Sequence, residues 1–330
     1  MDDGPIAGLR LPSPVVEIED ERLRTAGVRV LLKRDDLIHP EVPGNKWRKL
    51  KYNIATAREL GFETLLTFGG AYSNHLRATA AVGSYCGFST IGVVRGEEHL
   101  PLNASLRYAV SRGMRLGYLD RTTYRAKSSD TVIEALHQEY GDFYLIPEGG
   151  SNAAAVRGCA ELPAELDASV DVLFCAVGTG GTLAGVAAAM RPDQVVIGVP
   201  VLKGGAFLEG DIVGLQEQVY GERAGSWRLE CDYHFGGYAK RTPELDEFID
   251  DFETRHGLRL DWVYEAKMMY ALFDQVTRTV FPAGTTIVAL ISGTRPAQAL
   301  AQASSGRRLQ PAIDIQRHIA SSRRRTPHTR

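Results

Sequence analysis

Short apolar segments alternate with longer amphipathic segments along most of this chain, and this alternation limits the fold more than any other feature. The apolar segments predict strands at Val28–Leu32, Thr64–Phe68, Thr90–Val94, Arg115–Leu119, Phe143–Ile146, Val172–Val177, Val195–Pro200 and Thr286–Ile291. The predicted helices are Lys46–Leu60, Ser73–Tyr85, Leu102–Arg112, Thr131–Glu139, Ala153–Leu166, Thr182–Met190, Glu244–Arg255 and Ala266–Val280. Strands that alternate with helices favour parallel sheets with helices on both faces. The sequence therefore predicts an α/β protein with mostly parallel, twisted sheets.

Length and charge narrow the classes of function. The chain has 330 residues, which is enough for a large core and two lobes. The formal net charge is −2, so charge gives no reason to expect nucleic acid as the main partner. A run of about 18 apolar residues is missing, so no membrane span is predicted.

The cysteines and the N-terminal segment indicate a cytoplasmic protein. The four cysteines lie far apart and no pair has metal-ligand spacing, so we expect reduced, buried thiols and no metal. The first residues are acidic and contain no apolar stretch, so no signal peptide is predicted. Residues 317–330 carry five arginines and no acidic residue. They predict a solvated, mobile tail, with binding to nucleic acid or anionic lipid as the alternative.

The first predicted helix carries one apolar stripe and, at its start, a lysine. Trp47, Leu50, Ile54 and Ala57 recur at steps of three and four residues. Such spacing places them on one buried face of a helix. We therefore interpret Trp47 as a core residue and not as a ligand contact.

Lys46 directly follows Gly44 and Asn45, where a loop can hold a side chain against a ligand. A lysine that is buried near other cations has a lowered pKa and keeps a neutral amine, which can form a Schiff base with an aldehyde cofactor. Lysines near helix starts are usually solvated instead, and Lys46 is followed by Arg48 and Lys49. The local sequence leaves both interpretations open.

A glycine-rich loop follows the strand Val172–Val177 and opens a helix. Glycines let backbone amides approach an anion, the helix start adds partial positive charge, and threonine hydroxyls can donate. The loop lacks the Gly-Lys-Ser/Thr of a Walker A motif, and Leu183 stands where a dinucleotide motif has its third glycine. The loop predicts a phosphate site, with a plain tight turn as the alternative. Its residues are Gly178, Thr179, Gly180, Gly181 and Thr182.

A second turn, with two glycines, follows the second predicted strand. Ser73 or Asn74 can cap the next helix. The same helix start can instead bind a substrate carboxylate through its amides and the Ser73 hydroxyl, while Asn74 can bond a phenolic oxygen of the cofactor. His75 is either a helix-surface residue or a proton shuttle.

These three segments, in this order and at this separation, resemble the family of 1-aminocyclopropane-1-carboxylate (ACC) deaminases and D-cysteine desulfhydrases. That family has the tryptophan-synthase-β-like fold, which is fold type II of the enzymes that use pyridoxal 5′-phosphate (PLP). The likeness runs from about Leu31 to Leu290. The segments that look closest to the family are Gly44–Asn53, Phe68–His75, Pro147–Asn152, Phe235–Tyr238 and Val263–Met269.

The resemblance implies how PLP would be held. Lys46 would form the Schiff base, Asn74 would contact the ring oxygen, and Gly178–Thr182 would hold the phosphate. Glu265 is like the residue of the deaminases near the pyridine nitrogen, whereas Ser292 aligns with a threonine of the desulfhydrases. A carboxylate there keeps the nitrogen protonated and makes the ring a strong electron sink, while a hydroxyl suffices when thiolate leaves.

The resemblance also implies which residues meet the substrate. Ser73, Asn74 and His75 would bind it, and Ser73 would take part in catalysis. Tyr238 and Tyr264 look like the two tyrosines that face the substrate, where a phenol can donate or accept a proton. Ordinary aromatic packing is the alternative for both tyrosines.

The segment after the last predicted strand departs from the family. The expected His-Thr-Gly-Gly reads Ile291-Ser292-Gly293-Thr294 and is followed by Arg295. This departure supports one alternative of a different class, a PLP-binding protein without turnover.

The resemblance implies a large lobe of residues 1–47 and 152–316, a small inserted lobe of residues 48–151, and a homodimer. The preferred function is α,β-elimination from a small D-amino acid, as in the conversion of D-cysteine to pyruvate, sulfide and ammonia. The alternative is ACC deamination to 2-oxobutanoate and ammonia. β-Replacement on an unusual amino acid is a further enzyme alternative.

Overall fold

The computed structural model describes residues 6–42 and 44–293 and the backbone of residues 313–314. These residues form two compact units. The larger unit contains residues 8–52 and 151–293, and the smaller unit contains residues 53–150 with residues 6–7 and 313–314. The predicted lobes change over between residues 47 and 48 and between residues 151 and 152. In the structure the chain passes between units after Tyr52, inside a helix, and again after Gly150.

Strands and α-helices mostly alternate along the described residues from residue 15 onward. The strands are β1 Val15–Ile18, β2 Arg29–Arg34, β3 Thr64–Gly69, β4 Ser89–Arg95, β5 Arg115–Leu119, β6 Tyr144–Ile146, β7 Val172–Val177, β8 Val195–Pro200, β9 Trp227–Leu229, β10 Thr286–Ile291 and β11 Ile313–Asp314. The helices are α1 Glu21–Ala26, α2 Asn45–Glu59, α3 Asn74–Cys86, α4 Ala104–Ser111, α5 Arg121–Arg125, α6 Asp130–Tyr140, α7 Ala153–Cys159, α8 Gly181–Ala189, α9 Leu208–Tyr220, α10 Pro243–His256 and α11 Glu265–Thr277.

The larger unit is built on a sheet with the strand order β1-β2-β10-β7-β8-β9. Strand β1 is antiparallel to β2, and all other neighbours are parallel. Strand β10 lies between β2 and β7, with Ile287 opposite Val30 on one side and Val172 on the other. Because parallel strands end at the same edge of a sheet, the segments that follow β2, β10 and β7 start side by side, which is where ligands bind in open α/β sheets.

Helices cover both faces of this sheet, as the residues of β10 illustrate. Ile287, Ala289 and Ile291 join an apolar cluster with residues of α10 and α11, whereas Val288 and Leu290 join a second cluster with residues of α7, α8 and α9. Alternate side chains of a strand point to opposite faces. A strand that is buried on both faces reads as a continuous apolar run, which explains the sequence of β10.

The smaller unit is built on a parallel sheet with the strand order β11-β5-β4-β3-β6. One apolar cluster packs Leu66, Phe68, Ile91 and Val93 with residues of α6. A second cluster packs residues of α3, α4 and β5 around Met114.

The predicted α/β class with mostly parallel sheets is confirmed, and the predicted strands are found with ends that shift by at most two residues. The predicted helix Ala153–Leu166 is wrong in its second half. Helix α7 ends at Cys159, and Leu162–Glu165 is a separate 3-10 turn whose second residue is Pro163. Proline has no backbone N–H and cannot continue an α-helix. The elements β1, α1, α5, α9, β9 and β11 were not predicted.

Other predictions have different outcomes. Trp47 and the rest of its stripe are buried, which confirms them as core residues. The four cysteines are free, and only Cys159 and Cys175 are buried, so the expectation of buried thiols is wrong for Cys86 and Cys231. The arginine-rich residues 317–330 lie outside the described residues. In the described part of the chain, no helix is long and apolar enough to cross a membrane, and no cluster of side chains could hold a metal ion.

Candidate active site

The turn that carries Lys46 is fixed by contacts of its neighbours. Gly44 has φ 66°, and a Cβ atom there would lie 1.9 Å from the carbonyl oxygen of Ser292, so only glycine fits. Asn45 begins α2, and its Nδ2 donates to Oγ1 of Thr182 at 2.8 Å. Lys46 is therefore held between the segment after β10 and the glycine-rich loop after β7.

The amine of Lys46 is in a setting that favours its neutral form. Burial lowers the pKa of Lys46 to about 7, and the charge of Lys49 lowers it further. A lysine with an ordinary pKa is almost fully protonated at neutral pH. The amine of Lys46 is thus about half neutral near pH 7, and the neutral form is the one that Schiff-base chemistry requires. The role of Lys46 toward a cofactor stays a prediction.

Lys49 is a site residue to which the sequence analysis gave no role. It is buried, and its Nζ donates to Oγ of Ser151 at 2.9 Å and to Oγ1 of Thr179 at 3.5 Å. The hydroxyls of Ser151 and Thr179 are 2.7 Å apart. Its spacing was a usable signal, because residues three apart lie on the same face of a helix and Lys49 follows Lys46 by three.

The glycine-rich loop brings its backbone close to these polar groups. Gly180 has φ 77°, and a Cβ atom there would lie 2.6 Å from Cγ1 of Ile212. A Cβ atom at Gly181 would lie 2.6 Å from Oγ of Ser151 and 3.2 Å from Nζ of Lys49. Amides at the start of α8, two hydroxyls and one ammonium therefore surround one small region, and this is the donor set that a phosphate requires.

Glu265 and Ser292, which the resemblance relates to the pyridine nitrogen of PLP, are in contact. Oε1 of Glu265 accepts from the backbone N–H of Ser292 at 3.2 Å and from its hydroxyl at 3.3 Å. Within the described residues, Oε2 is buried and has no hydrogen-bond partner. Burial and then the Asp261 carboxylate raise the pKa of Glu265 well above its usual range. Gly293 lies against this carboxyl, while Thr294 and Arg295 lie outside the described residues.

The two predicted substrate tyrosines form a pair. The hydroxyl of Tyr264 donates to that of Tyr238 at 3.4 Å, and the rings meet edge to face with centroids 6.1 Å apart. The Tyr264 ring lies beside the glycine-rich loop, since a Cβ atom at Gly178 would be 3.2 Å from its Cε1. Burial and then Tyr238 raise the pKa of Tyr264 well above its usual range, so this phenol stays protonated at neutral pH.

The turn of the smaller unit is also well defined. Ser73 caps α3, because its Oγ accepts from the backbone N–H of Leu76 at 3.3 Å. His75 is buried, and its Nε2 lies 2.8 Å from Oγ1 of Thr67, so the alternative of a helix-surface histidine is wrong. The roles of Ser73, Asn74 and His75 toward substrate and cofactor stay predictions.

A largely buried network of ion pairs also holds the first turns of α2. The guanidinium of Arg48 donates twice to Asp35, at 2.7 and 2.9 Å, and twice to Glu165, at 2.7 and 2.9 Å. Lys33 donates to Glu165 at 2.6 Å, and the Ser13 hydroxyl donates to Asp35 at 2.6 Å. Two cations thus meet two carboxylates, which fixes the helix two residues after Lys46.

Comparison with known proteins identifies the family to which this chain belongs. The family model described as pyridoxal-phosphate dependent enzyme matches residues 6–293. A protein of Pyrococcus abyssi is 32% identical over 271 residues, covering 76% of this chain and 80% of its own; its provisional name is 1-aminocyclopropane-1-carboxylate deaminase. The D-cysteine desulfhydrase of Salmonella newport is 29% identical over 294 residues, covering 82% of this chain and 88% of its own.

A solved structure agrees with these relatives. The crystal structure of an ACC deaminase homologue has a TM-score of 0.73 at 27% identity, and the match covers 86% of this chain and 90% of that chain. The resemblance that the sequence motifs indicated is thereby confirmed.

Proposed function

We propose that this chain, which belongs to the family of pyridoxal-phosphate-dependent enzymes, eliminates the β-substituent of a small D-amino acid. D-cysteine is the preferred substrate, and the products are pyruvate, sulfide and ammonia. The observation that carries the proposal is the partly shielded amine of Lys46, placed beside the glycine-rich loop and Lys49. The similarity to a D-cysteine desulfhydrase over most of both chains supports the choice of substrate.

Residues of the larger unit fit three parts of PLP, which are its aldehyde, its phosphate and its ring nitrogen. The Lys46 amine suits the aldehyde. The backbone at Gly181, which lies close to Ser151 and Lys49, suits the phosphate together with the Thr179 hydroxyl. The buried Oε2 of Glu265, which has no hydrogen-bond partner among the described residues, suits the ring nitrogen.

Bound PLP supplies an aldehyde for amines and a ring that accepts electron density from the α-carbon of the substrate. The amine of Lys46, about half of which is neutral at pH 7, would take the α-proton of the substrate. Tyr264 keeps its proton and can donate a hydrogen bond, while Tyr238, its partner, is about half exposed and can orient the substrate. Thiolate is a good leaving group, so the elimination needs little further assistance.

Three residues of the smaller unit complete the proposal on the basis of the family resemblance. Ser73 and His75 would bind the substrate, and Asn74 would contact both the substrate and the ring oxygen of PLP. Ser73 already accepts a hydrogen bond from the start of α3, so substrate binding there would use its remaining hydroxyl hydrogen and the nearby helix amides.

ACC deamination is the second candidate, and Glu265 favours it. A carboxyl beside the pyridine nitrogen makes the ring a stronger electron sink. Opening a cyclopropane is harder than expelling thiolate and benefits more from that sink. The similarity to a protein provisionally named ACC deaminase agrees with this candidate.

A substrate panel with product identification tests the proposal. The PLP-loaded protein is incubated with D-cysteine, L-cysteine and ACC, and pyruvate, 2-oxobutanoate and sulfide are measured. Pyruvate and sulfide from D-cysteine, without 2-oxobutanoate from ACC, would support the proposal. The reverse pattern would replace it with ACC deamination. A visible cofactor band that no amino acid changes would show a PLP-binding protein without turnover.

We further propose that the protein is a cytoplasmic homodimer, as the resemblance implies. The four free cysteines agree with a reducing compartment. Light scattering of the PLP-loaded protein tests the dimer, and a mass near 36.1 kDa would contradict it.

A further inference from the structure

One buried lysine of the larger unit has no part in the proposed chemistry. Lys267 lies in the first turn of α11 and is fully buried. Its ammonium donates to the backbone carbonyls of His234 and Gly237, at 2.8 Å each, and to that of Val201 at 3.4 Å. An ammonium has three N–H donors, so three carbonyls match its full donor set.

The partners of Lys267 indicate what the residue does. In the described part of the chain, its hydrogen bonds go to backbone carbonyls and not to a carboxylate. Burial lowers the pKa of Lys267 to about 8, and the charge of Asp261 opposes this shift. A cation whose role was charge balance would pair directly with an acid, so this ammonium acts instead as a clamp on the backbone.

The clamped segment, residues 234–240, has a backbone that needs outside support. We call it the Tyr238 loop. Phe235 has φ 48° and Ala239 has φ 51°, which is the left-handed region that side chains other than glycine disfavour. Such conformations persist only where the surroundings fix them. The carbonyls of His234 and Gly237, which flank Phe235, are both bound by Lys267.

The Tyr238 loop presents one of the two proposed substrate tyrosines. Tyr238 meets Tyr264 through their hydroxyls and by an edge-to-face ring contact. Tyr264 directly precedes α11, three residues before Lys267. The start of α11 therefore positions both phenols, Tyr264 by its own backbone and Tyr238 through the Lys267 ammonium.

We infer that Lys267 is a positioning residue, which holds the Tyr238 loop so that the Tyr238 hydroxyl faces the substrate. This inference rests on the proposed function, because it assigns Tyr238 to the substrate. It extends that function because the reaction rate would depend on a side chain that contacts neither substrate nor cofactor.

The test compares Lys267→Met with Lys240→Met. Both changes remove one ammonium and keep most of the length of the side chain, but Lys240 is exposed on the same loop. We expect Lys267→Met to bind PLP normally and to lose about 10- to 100-fold in kcat, with a smaller change in KM. Lys240→Met should keep the wild-type kcat within about twofold.

A double-mutant cycle with Tyr238→Phe separates positioning from general damage. If Lys267 acts through Tyr238, then Lys267→Met should cost less than about twofold in the Tyr238→Phe background. Additive losses would overturn the inference, and so would a folded Lys267→Met with the kcat of Lys240→Met. Lys267→Gln, which keeps a donor, replaces Lys267→Met in the cycle if the latter fails to fold.

Hydrogen exchange gives a readout that needs no turnover. The backbone N–H of Gly237 donates to His234, and that of Lys240 donates to Gly237. In Lys267→Met both amides should exchange at least about tenfold faster than in Lys240→Met. Equal exchange would overturn the inference. If no Lys267 variant folds, the wild-type amides decide the question, since exchange as fast as in an unstructured peptide would contradict a clamped loop.

These readouts distinguish failure of the inference from failure of the proposed function. A wild-type protein that releases product from none of the amino acids in the panel would refute the proposed function. In that case the exchange rates of the Tyr238 loop still test whether Lys267 holds it.

Discussion

Two groups of charged side chains lie around the first turns of α2, and they differ in how the charges are compensated. In the first group Arg48 and Lys33 bind Asp35 and Glu165 directly, so cations and carboxylates match. In the second group Lys46 is close enough to Lys49 for the two charges to repel. We call them the paired cluster (Lys33, Asp35, Arg48, Glu165) and the site cluster (Lys46, Lys49, Glu265).

The pKa directions follow this difference. The carboxylates around Arg48 hold it protonated and raise its pKa, although burial alone would lower it. Two positions earlier, burial and a neighbouring cation lower the pKa of Lys46 to about 7. One helix thus carries a guanidinium that stays charged and an amine that is about half neutral at pH 7. Burial alone therefore does not indicate a reactive group. Burial beside a charge of the same sign does, because both lower the pKa of an amine.

The largest expected effect concerns Lys46. Lys46→Ala should abolish the borohydride-trapped PLP adduct and lower turnover by at least about 1,000-fold, because it removes the amine that bonds the cofactor. Intact mass and product release measure the two effects. Lys51→Ala is the control, since Lys51 lies on the same helix but pairs with Glu161. Wild-type turnover by Lys46→Ala would refute the assignment of the site cluster.

The paired cluster should respond in stability. Arg48→Met leaves Asp35 and Glu165 without their main partner, and it should lower the free energy of unfolding by about 3–5 kcal/mol. The control is Arg29→Met, which breaks an exposed pair with Glu17 and should cost less than about 1 kcal/mol. Denaturant unfolding measures both. Equal losses would mean that burial of the pair has no energetic consequence.

The pKa of Lys46 predicts how PLP loading depends on pH. Only the neutral amine reacts, so the loading rate of PLP-free protein should rise about tenfold per pH unit below the pKa and level off above pH 7. Stopped-flow absorbance records this profile. Lys49→Met removes a repelling charge, so it should move the midpoint to higher pH. A wild-type midpoint above pH 9 would contradict the lowered pKa.

The smallest effect should come from Glu265. Glu265→Thr removes a buried carboxyl, and it should lower kcat/KM for ACC about tenfold more than kcat/KM for D-cysteine, if both are turned over. Glu209→Thr is the control, because Glu209 is exposed. Equal losses on both substrates would argue against a contact between Glu265 and the ring nitrogen.

Local chemistry made part of the site predictable from sequence. A glycine before Lys46 and three glycines after β7 mark sharp turns at strand and helix ends, and these signals need no knowledge of distant residues. The apolar stripe of α2 is equally local. Lys49, which the sequence analysis missed, could also have been predicted, because helical spacing places it on the same face as Lys46.

The ion pairs of Arg48, helix α9 and strand β1 were not predicted, because the signals for them are distant in sequence or absent. Arg48 meets Asp35 and Glu165, which lie 13 and 117 residues away, and no local pattern joins them. Helix α9 starts after a 3-10 turn without a side-chain cap, so it lacks the usual start signal. Strand β1 is short, and three of its four residues are exposed, so it lacks the apolar alternation of a strand.

The central position of β10 has a consequence for biosynthesis. Its residues pair with β2, more than 250 positions earlier in the chain, and with β7 on the other side. The carbonyl of Ser292 against Gly44 and the Ser292 bonds to Glu265 exist only after this strand has been inserted. We therefore expect a nascent polypeptide to form these contacts only after nearly nine-tenths of the 330 residues have been translated. Chains that end before Ser292 should therefore lack the proposed site, so the capacity to load cofactor should arise late in ribosomal synthesis.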